Sequence, residues 1–104
     1  MQEFSTGATR DDSLHKPKYG GYFSPSALRA FGAYMLKNEV QADGKRREAG
    51  NWKKGIPKDA YMESMWRHFL DAWEAHESGD TEKLKESLCA LLFNVQGRLH
   101  EELR

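Results

Sequence analysis

Acidic residues in the second half of the chain have the spacing of a metal-binding set. Glu74 and Glu77 are three residues apart, which places both on neighbouring positions of a helix. Glu86 follows on a further predicted helix, where a carboxylate on an apolar surface must be paired, protonated or bound to a metal. Oxygen ligands of this kind suit Mg²⁺ or Mn²⁺. Glu74, Glu77 and Glu86 are therefore candidate metal ligands and candidate catalytic residues.

Each of these carboxylates also has a purely structural interpretation. Glu74 and Glu77 are equally typical of a helix face that contacts solvent. Glu86 can instead form an ion pair with a base that lies close to it on the predicted helices: Lys83, Lys85 or Arg67. The sequence leaves both interpretations open.

Three further residues on the same helices are chemically notable. His68 lies at the edge of an apolar face, where it can act as a catalytic proton carrier, a phosphate or metal ligand, or a hydrogen-bonded boundary residue. Asn94 is expected to be buried and to need hydrogen bonds, either beside Glu86 or with its counterpart across a dimer axis. Cys89 has no basic neighbour in sequence, so we interpret it as a packing residue.

A basic loop is predicted over residues 42–57. Its cations outnumber Asp43 and Glu48, and they are Lys45, Arg46, Arg47, Lys53 and Lys54. Arginine and lysine can hold a polyphosphate, and Trp52 can stack on a base. The alternatives are a solvated connector and a Trp52 that fastens the loop to the core.

Capping signals place three helices along the chain. Ser24 and Pro25 are typical of a helix start, and this first helix should end near residues 38–41. Pro57 can open the second helix, which should fray at residues 78–79. Asp80 or Thr81 caps the third. The fold class is therefore all-α, with about three helices, two of them long and antiparallel.

The two long helices carry more apolar surface than one small chain can cover. The second helix has one wide apolar face: Tyr61, Met62, Met65, Trp66, Phe69, Leu70 and Trp73. The third has a stripe: Leu84, Leu88, Leu91, Leu92, Val95 and Leu99. We expect residues 88–93 to be central and buried, because they are apolar nearly all round. Pairing of two chains into a helical bundle would cover both faces, which predicts a homodimer.

Composition limits the class of protein. The 104 residues have zero formal net charge, which argues against a general binder of nucleic acid or anionic membranes. No apolar run approaches the roughly 18 residues of a membrane span, and one cysteine excludes an internal disulfide.

We expect a cytoplasmic protein with a single domain over residues 1–104. Residues 1–23 form an irregular arm, and residues 24–104 form the helical body. Tyr19, Tyr22 and Phe23 of the arm should fasten onto this molecule or a partner, and the alternative is a fully disordered arm, since residues 1–15 are mostly polar.

Several motifs resemble one family. Thr6-Gly7-Ala8-Thr9-Arg10-Asp11 and Lys16-Pro17-Lys18-Tyr19 open the chain, and Asn51-Trp52-Lys53-Lys54-Gly55-Ile56-Pro57 precedes Tyr61 and Arg67-His68. Leu88-Cys89-Ala90-Leu91-Leu92-Phe93-Asn94 follows. Together they resemble the small, largely phage-encoded proteins of the dATP/dGTP diphosphohydrolase N-terminal domain family, over about residues 6–103.

The resemblance implies an all-α fold akin to MazG-type enzymes, which hydrolyse nucleoside triphosphates with magnesium and would act here in the host cytoplasm. Their metal site follows a Glu-x-x-Glu and Glu-x-x-Asp pattern. This chain has Cys89 three residues after Glu86, where that pattern has an acid. For an enzyme of this kind the candidate substrate-binding residues of the chain are Asn51, Trp52, Lys53, Arg67 and Asn94.

Two hypotheses about function follow. The first is a metal-dependent nucleotide (dNTP) pyrophosphohydrolase that uses Mg²⁺ or Mn²⁺ at Glu74, Glu77 and Glu86, with His68 as a further catalytic residue. The second is a non-catalytic helical interaction module that binds a protein partner, such as a host factor of a phage, through its aromatic arm and basic loop.

Overall fold

The computed structural model describes residues 2–10 and 14–104. Met1 and residues 11–13 of the predicted arm, with Asp11 of the family motif, lie outside the described residues. The elements in chain order are strands β1 (Gln2–Glu3) and β2 (Thr9–Arg10), helix α1 (Tyr19–Tyr22), helix α2 (Pro25–Lys37), a 3₁₀ helix (Asn51–Lys54), helix α3 (Lys58–Ser78) and helix α4 (Thr81–Leu103). The all-α class is therefore confirmed. Within the described residues, no helix is both long and apolar enough to cross a membrane.

The ends of the long helices follow from local side-chain chemistry. Ser24 caps α2, because its hydroxyl accepts a hydrogen bond from the Ala27 amide at 3.1 Å. The Asp80 carboxylate caps α4 and accepts from the Lys83 amide at 3.1 Å. Gly79 ends α3 with φ of +72°, a left-handed conformation that costs glycine little. The turn between α3 and α4 is therefore short, and the two helices form an antiparallel hairpin.

Small residues form the contact line of this hairpin. The most deeply buried residues of α4 are Ser87, Ala90, Asn94 and Gly97. Those of α3 are Tyr61, Ala72 and Ala75. Short side chains let the two backbones approach closely, and they leave the longer side chains pointing away from the contact line. The interior of the described chain is thus built around one tyrosine and a few alanines.

This arrangement corrects the expected burial of residues 88–93. Ala90 is buried, but the side chains of Leu88 and Leu92 are 50% and 41% exposed. The prediction that residues 88–93 are all buried is therefore wrong for Leu88 and Leu92. Helix α3 packs against the neighbouring row of small residues on α4. The face of α4 that carries Leu88 and Leu92 therefore stays exposed in the single chain.

Helix α2 and the loop after it pack against α4 from one side. Val40, just after α2, forms an isolated antiparallel bridge with Arg46 of the basic loop, and the 3₁₀ helix follows later in that loop. Trp52 of that helix lies with its ring centroid 6.0 Å from that of Phe93 and 4.9 Å from that of His100. Trp52 therefore fastens the loop to α4, which was one of the two interpretations of this residue.

The described residues of the N-terminal arm form two short strands and the short helix α1. The two strands pair antiparallel, with Gln2 opposite Arg10 and Glu3 opposite Thr9. The rings of Tyr19, Tyr22 and Phe23 are 65%, 70% and 53% exposed. The predicted fastening of these three side chains onto the body is therefore at most partial, and their docking onto a partner stays a prediction.

Candidate functional site

A small polar cleft lies where α2, α3 and α4 meet. Its volume is about 250 Å³. The residues that line it are Tyr34 of α2, His68 and Asp71 of α3, and Lys83, Glu86, Ser87 and Ala90 of α4. The spacing of three between His68 and Asp71, and between Lys83 and Glu86, puts each pair on one helix face. The cleft therefore combines two carboxylates, an imidazole and an ammonium group.

Glu86 is the electrostatic centre of this cleft. Its carboxylate lies 3.6 Å from the ammonium group of Lys37, and its side chain is 56% exposed. The ion pair thus involves a base on α2, not Lys83, Lys85 or Arg67 as the sequence suggested, because α2 crosses α4 at this point. Glu86 is also not a buried carboxylate, so the argument that burial demands a metal does not apply to it.

Two weak acids next to Glu86 hold their protons more tightly than usual. The pKa of the Tyr34 hydroxyl is raised by burial, then by the negative charge of Glu86, and at alkaline pH also by the ionised thiol of Cys89. The pKa of the Cys89 thiol is raised by burial and then by Glu86. Both groups are therefore neutral near pH 7, and Cys89 has the character of a packing residue rather than of a nucleophile.

The predicted acids do not all meet at this cleft. Glu86 and the predicted catalytic residue His68 both line it, whereas the side chains of Glu74 and Glu77 are exposed on α3 outside its lining. In residues 2–10 and 14–104, no group of three or more His, Cys, Asp and Glu side chains is placed to hold a metal ion. One chain alone therefore does not gather Glu74, Glu77 and Glu86 around a cation.

A larger apolar cavity adjoins the polar cleft at Tyr34, which lines both. It has a volume of about 620 Å³ and lies between α2, the basic loop and α4. Phe31, Met35, Trp52, Ile56 and Phe93 form its apolar walls, and Asn51 lies among its polar residues. Of the predicted substrate-binding residues, Asn51 and Trp52 are therefore together in one cavity.

The other three predicted substrate-binding residues have local roles. The ammonium group of Lys53 lies 5.7 Å from the centroid of the Trp52 ring. The Arg67 guanidinium donates to the Ser64 hydroxyl at 2.9 Å, one turn earlier on α3. The buried Asn94 amide donates to the Ala90 carbonyl of its own helix at 2.8 Å. Asn94 therefore donates a hydrogen bond within its own helix. The sequence had suggested a hydrogen-bond partner beside Glu86 or across a dimer axis instead.

The largest functional surface candidate is apolar. On α3 it contains Met62, Trp66, Phe69, Leu70 and Trp73, and on α4 it contains Leu88, Leu92, Val95 and Leu99. These side chains are between 41% and 64% exposed. At 100° per residue, each set occupies one sector of its own helix, away from the row of buried residues of that helix. We call this surface the hairpin face.

Sequence reasoning missed several residues of the polar cleft, among them Tyr34 and Ser87. Asp71 was not identified as a candidate, and Lys83 was identified only as a possible ion-pair partner of Glu86. The spacing of three from Asp71 to His68, and from Lys83 to Glu86, was the signal that could have found these two. Comparison with family models, with curated proteins and with solved structures finds no match to this chain. The fold and its surfaces define an all-α helical-hairpin protein, and the family resemblance stays a prediction.

Proposed function

We propose that this protein is a helical interaction module that works as a homodimer. In the dimer, the hairpin faces of two chains pack together and complete a bundle of four long helices. The side that carries α2, the polar cleft and the apolar cavity stays outside this bundle. The observation that carries the proposal is the hairpin face, because large apolar surfaces on soluble proteins usually mark interaction sites.

The total surface area of the chain supports this proposal. The chain exposes 8511 Å², whereas a compact chain of 12.0 kDa exposes about 6,000 Å². Its radius of gyration is 18.5 Å, compared with about 13 Å for a compact domain of similar length. The extended arm contributes to both differences. Obligate homodimers bury about 2,000–5,000 Å² in total, so each chain of such a dimer hides an area on the scale of this excess.

The small interior of the chain also supports the proposed homodimer. Among the described residues, the buried apolar ones are Tyr61, Ala72, Ala75 and Ala90. Three alanines contribute little apolar area, while ordering a residue costs about 1–2 kcal/mol of backbone entropy. Burial of the hairpin face against a second copy adds the large side chains that this interior lacks. Assembly and folding should therefore be coupled.

A charge placed in the hairpin face tests the proposal. Leu92→Lys puts an ammonium group where the two chains would meet, and we expect the variant to lose the dimer and part of its helicity at micromolar concentration. Leu36→Lys is the matched control, because Leu36 is 63% exposed but lies on α2. Equal masses and equal circular dichroism for both variants would remove the hairpin face as the interface.

A second candidate function is supported by the polar cleft. Magnesium is commonly bound by one or two carboxylates and completed by substrate phosphates. Asp71 and Glu86 would supply two carboxylates, and Lys83 and His68 would contact phosphate oxygens. The protein would then be a nucleotide pyrophosphohydrolase whose metal ligands differ from the predicted Glu74 and Glu77. When bound, the metal would supply a nucleophilic water and charge neutralisation.

The two ligand sets can be separated by substitution. The assay is pyrophosphate release from each dNTP with Mg²⁺ or Mn²⁺. Loss of activity in Asp71→Asn and Glu86→Gln, with activity retained in Glu74→Gln, would support the polar cleft. Loss in Glu74→Gln would instead support the acids predicted from the sequence. If no dNTP is turned over and none binds with a divalent cation, the enzyme hypothesis is wrong.

A further inference from the structure

The apolar cavity between α2, the basic loop and α4 has the size and the walls of a site for a small molecule. Its volume of about 620 Å³ is within the range of roughly 300–1,000 Å³ that is usual for such sites. Its walls include the rings of Phe31, Trp52 and Phe93. A flat ring that enters the cavity can stack on these walls or meet them edge to face, which adds to the gain from burying apolar area. The walls therefore favour a ligand with an aromatic group.

The charged side chains that line this cavity are only partly neutralised within the chain. The Glu39 carboxylate lies 3.4 Å from the Arg46 guanidinium. The other two charged lining residues are Arg47 and Glu48, which are neighbours in the chain. Among residues 2–10 and 14–104, neither of these two side chains has an ion-pair or hydrogen-bond partner. The cavity thus presents one unpaired cation and one unpaired anion beside its aromatic walls.

Backbone hydrogen bonds hold these two residues at the cavity. The Arg47 amide donates to the Glu39 carbonyl just after α2 at 2.6 Å, and the Asn51 amide of the 3₁₀ helix donates to the Glu48 carbonyl at 2.9 Å. The backbone at positions 47 and 48 is therefore fastened on both sides, while the two side chains are free to turn towards a ligand. A backbone that is ordered before binding lowers the entropy cost of binding.

Opposite charges on neighbouring residues match a zwitterion. The Arg47 guanidinium can donate two parallel hydrogen bonds to a carboxylate, and the Glu48 carboxylate can accept from an ammonium group. A ligand with only a negative charge would meet repulsion from Glu48, and a ligand with only a positive charge would meet repulsion from Arg47. The lysines elsewhere in the basic loop add to the attraction for the carboxylate end.

We propose that the apolar cavity binds a small aromatic zwitterion, of the chemical class of the free aromatic amino acids. The ring packs against Trp52 and Phe93, the carboxylate pairs with Arg47, and the ammonium group pairs with Glu48. This inference goes beyond the homodimer proposed above, because the cavity lies outside the proposed bundle and is complete within one chain. The mass of the protein tests the homodimer, and ligand binding tests the cavity.

A titration followed by nuclear magnetic resonance tests the site. The probe is L-phenylalanine at about pH 6, where its α-amine is protonated. The indole N–H signal of Trp52 reports on the cavity, whereas those of Trp66 and Trp73 report on the hairpin face. We expect a saturable shift of the Trp52 signal at millimolar ligand, with the other two signals unchanged. No saturable shift, or equal shifts of all three signals, would overturn the proposal.

Two analogues of the probe test the need for both charges. Phenylalanine amide lacks the carboxylate, and N-acetylphenylalanine lacks the ammonium group. Exposed ion pairs change an equilibrium constant by up to about fivefold, so each analogue should bind about two- to fivefold more weakly than phenylalanine. If N-acetylphenylalanine binds as tightly as phenylalanine, the ligand is a plain organic anion. If the amide does so, it is a plain cation. Either result would overturn the zwitterion.

Matched variants of the basic loop assign each charge to its residue. Arg47→Gln should remove the difference between phenylalanine and its amide and keep the difference from N-acetylphenylalanine. Glu48→Gln should have the converse effect. Lys54→Gln and Asp43→Asn each remove one charge from the same loop outside the cavity lining, and they should keep both differences. Equal losses in these controls would mean that the net charge of the loop selects the ligand, which would overturn the assignment to Arg47 and Glu48.

Discussion

Gly97 of α4 lies directly against the ring of Tyr61 on α3, so closely that a Cβ atom at position 97 would overlap ring carbon atoms. Tyr61 is 1% exposed and is the largest fully buried side chain in the described part of the molecule. Its ring also packs against Phe93, with the centroids 6.1 Å apart. This contact sets how closely the two long helices approach at the open end of the hairpin.

The Gly97 contact predicts opposite effects for two glycine-to-alanine substitutions. Gly97→Ala should lower the free energy of unfolding by about 1–3 kcal/mol, because overlap with the Tyr61 ring exceeds the gain in helix propensity. Gly32→Ala is the control in the middle of α2, where an added Cβ meets no atom within 4 Å. It should raise stability by about 0.5–1 kcal/mol. Chemical denaturation at one fixed protein concentration measures both, and a stabilising Gly97→Ala would contradict this packing.

The hydroxyl group of Tyr61 predicts a stabilising substitution. It is buried and has no hydrogen-bond partner among residues 2–10 and 14–104. An unsatisfied buried polar group costs about 1–3 kcal/mol, so Tyr61→Phe should raise the free energy of unfolding by about 1 kcal/mol. Tyr34→Phe is the comparison, because Tyr34 is half-buried at the cleft, and it should change stability by less than about 0.5 kcal/mol. A loss of stability in Tyr61→Phe would mean that the hydroxyl has a partner in the assembled protein.

Removal of the Asp80 cap at the turn between α3 and α4 should lower the stability of the protein. Asp80→Ala removes the acceptor of the Lys83 amide and should lower the free energy of unfolding by about 1 kcal/mol. Thr81→Ala changes the next residue without removing that acceptor and should leave stability nearly unchanged. Thermal unfolding of the two variants in parallel checks this, and equal melting temperatures would contradict the capping role.

The acids near Glu86 predict a loss of stability at alkaline pH. The folded-state pKa values of Cys89 and Tyr34 are raised, first by burial and then by neighbouring negative charge. The folded protein therefore holds these protons to a higher pH than the unfolded chain does. This contribution is fully present below the unfolded pKa values and is lost as pH rises through the folded ones. Tm should be level up to about pH 8 and fall above about pH 9.

A substitution at Cys89 tests the assignment of that pH dependence. Cys89→Ala removes the thiol, whose ordinary pKa is the lower of the two, so the fall in Tm should begin at a higher pH. The comparison requires both proteins at the same concentration, because assembly affects Tm. A Tm that rises between pH 8 and pH 10 in the parent protein would have the wrong sign for this explanation.

Local chemistry made the helix limits predictable from the sequence. Ser24, Pro25 and Asp80 act within one turn, and the structure has helices beginning where these residues predict. The side of α4 that packs could not be predicted in the same way. The leucine stripe and the row of Ser87, Ala90, Asn94 and Gly97 are both periodic, and periodicity alone does not tell which row faces the neighbouring helix of the same chain.

Only part of the candidate site could be predicted from the sequence, because local patterns do not specify which helices meet. His68 and Glu86 were identified from their residue types, and they line one cleft. Glu74 and Glu77 were chosen for a spacing that a solvent-exposed helix also has, and they are exposed. The ion pair of Glu86 with Lys37 joins α4 to α2, so it depends on a helix crossing that no local pattern specifies.

The most direct measurement of the central claim is sedimentation equilibrium of the unmodified protein at micromolar concentration. If the hairpin faces pack together, the mass should be twice the chain mass of 12.0 kDa, and Tm should rise with protein concentration. A mass of one chain, with cooperative unfolding and a Tm independent of concentration, would contradict the homodimer and leave the exposed hairpin face without the occupant proposed for it.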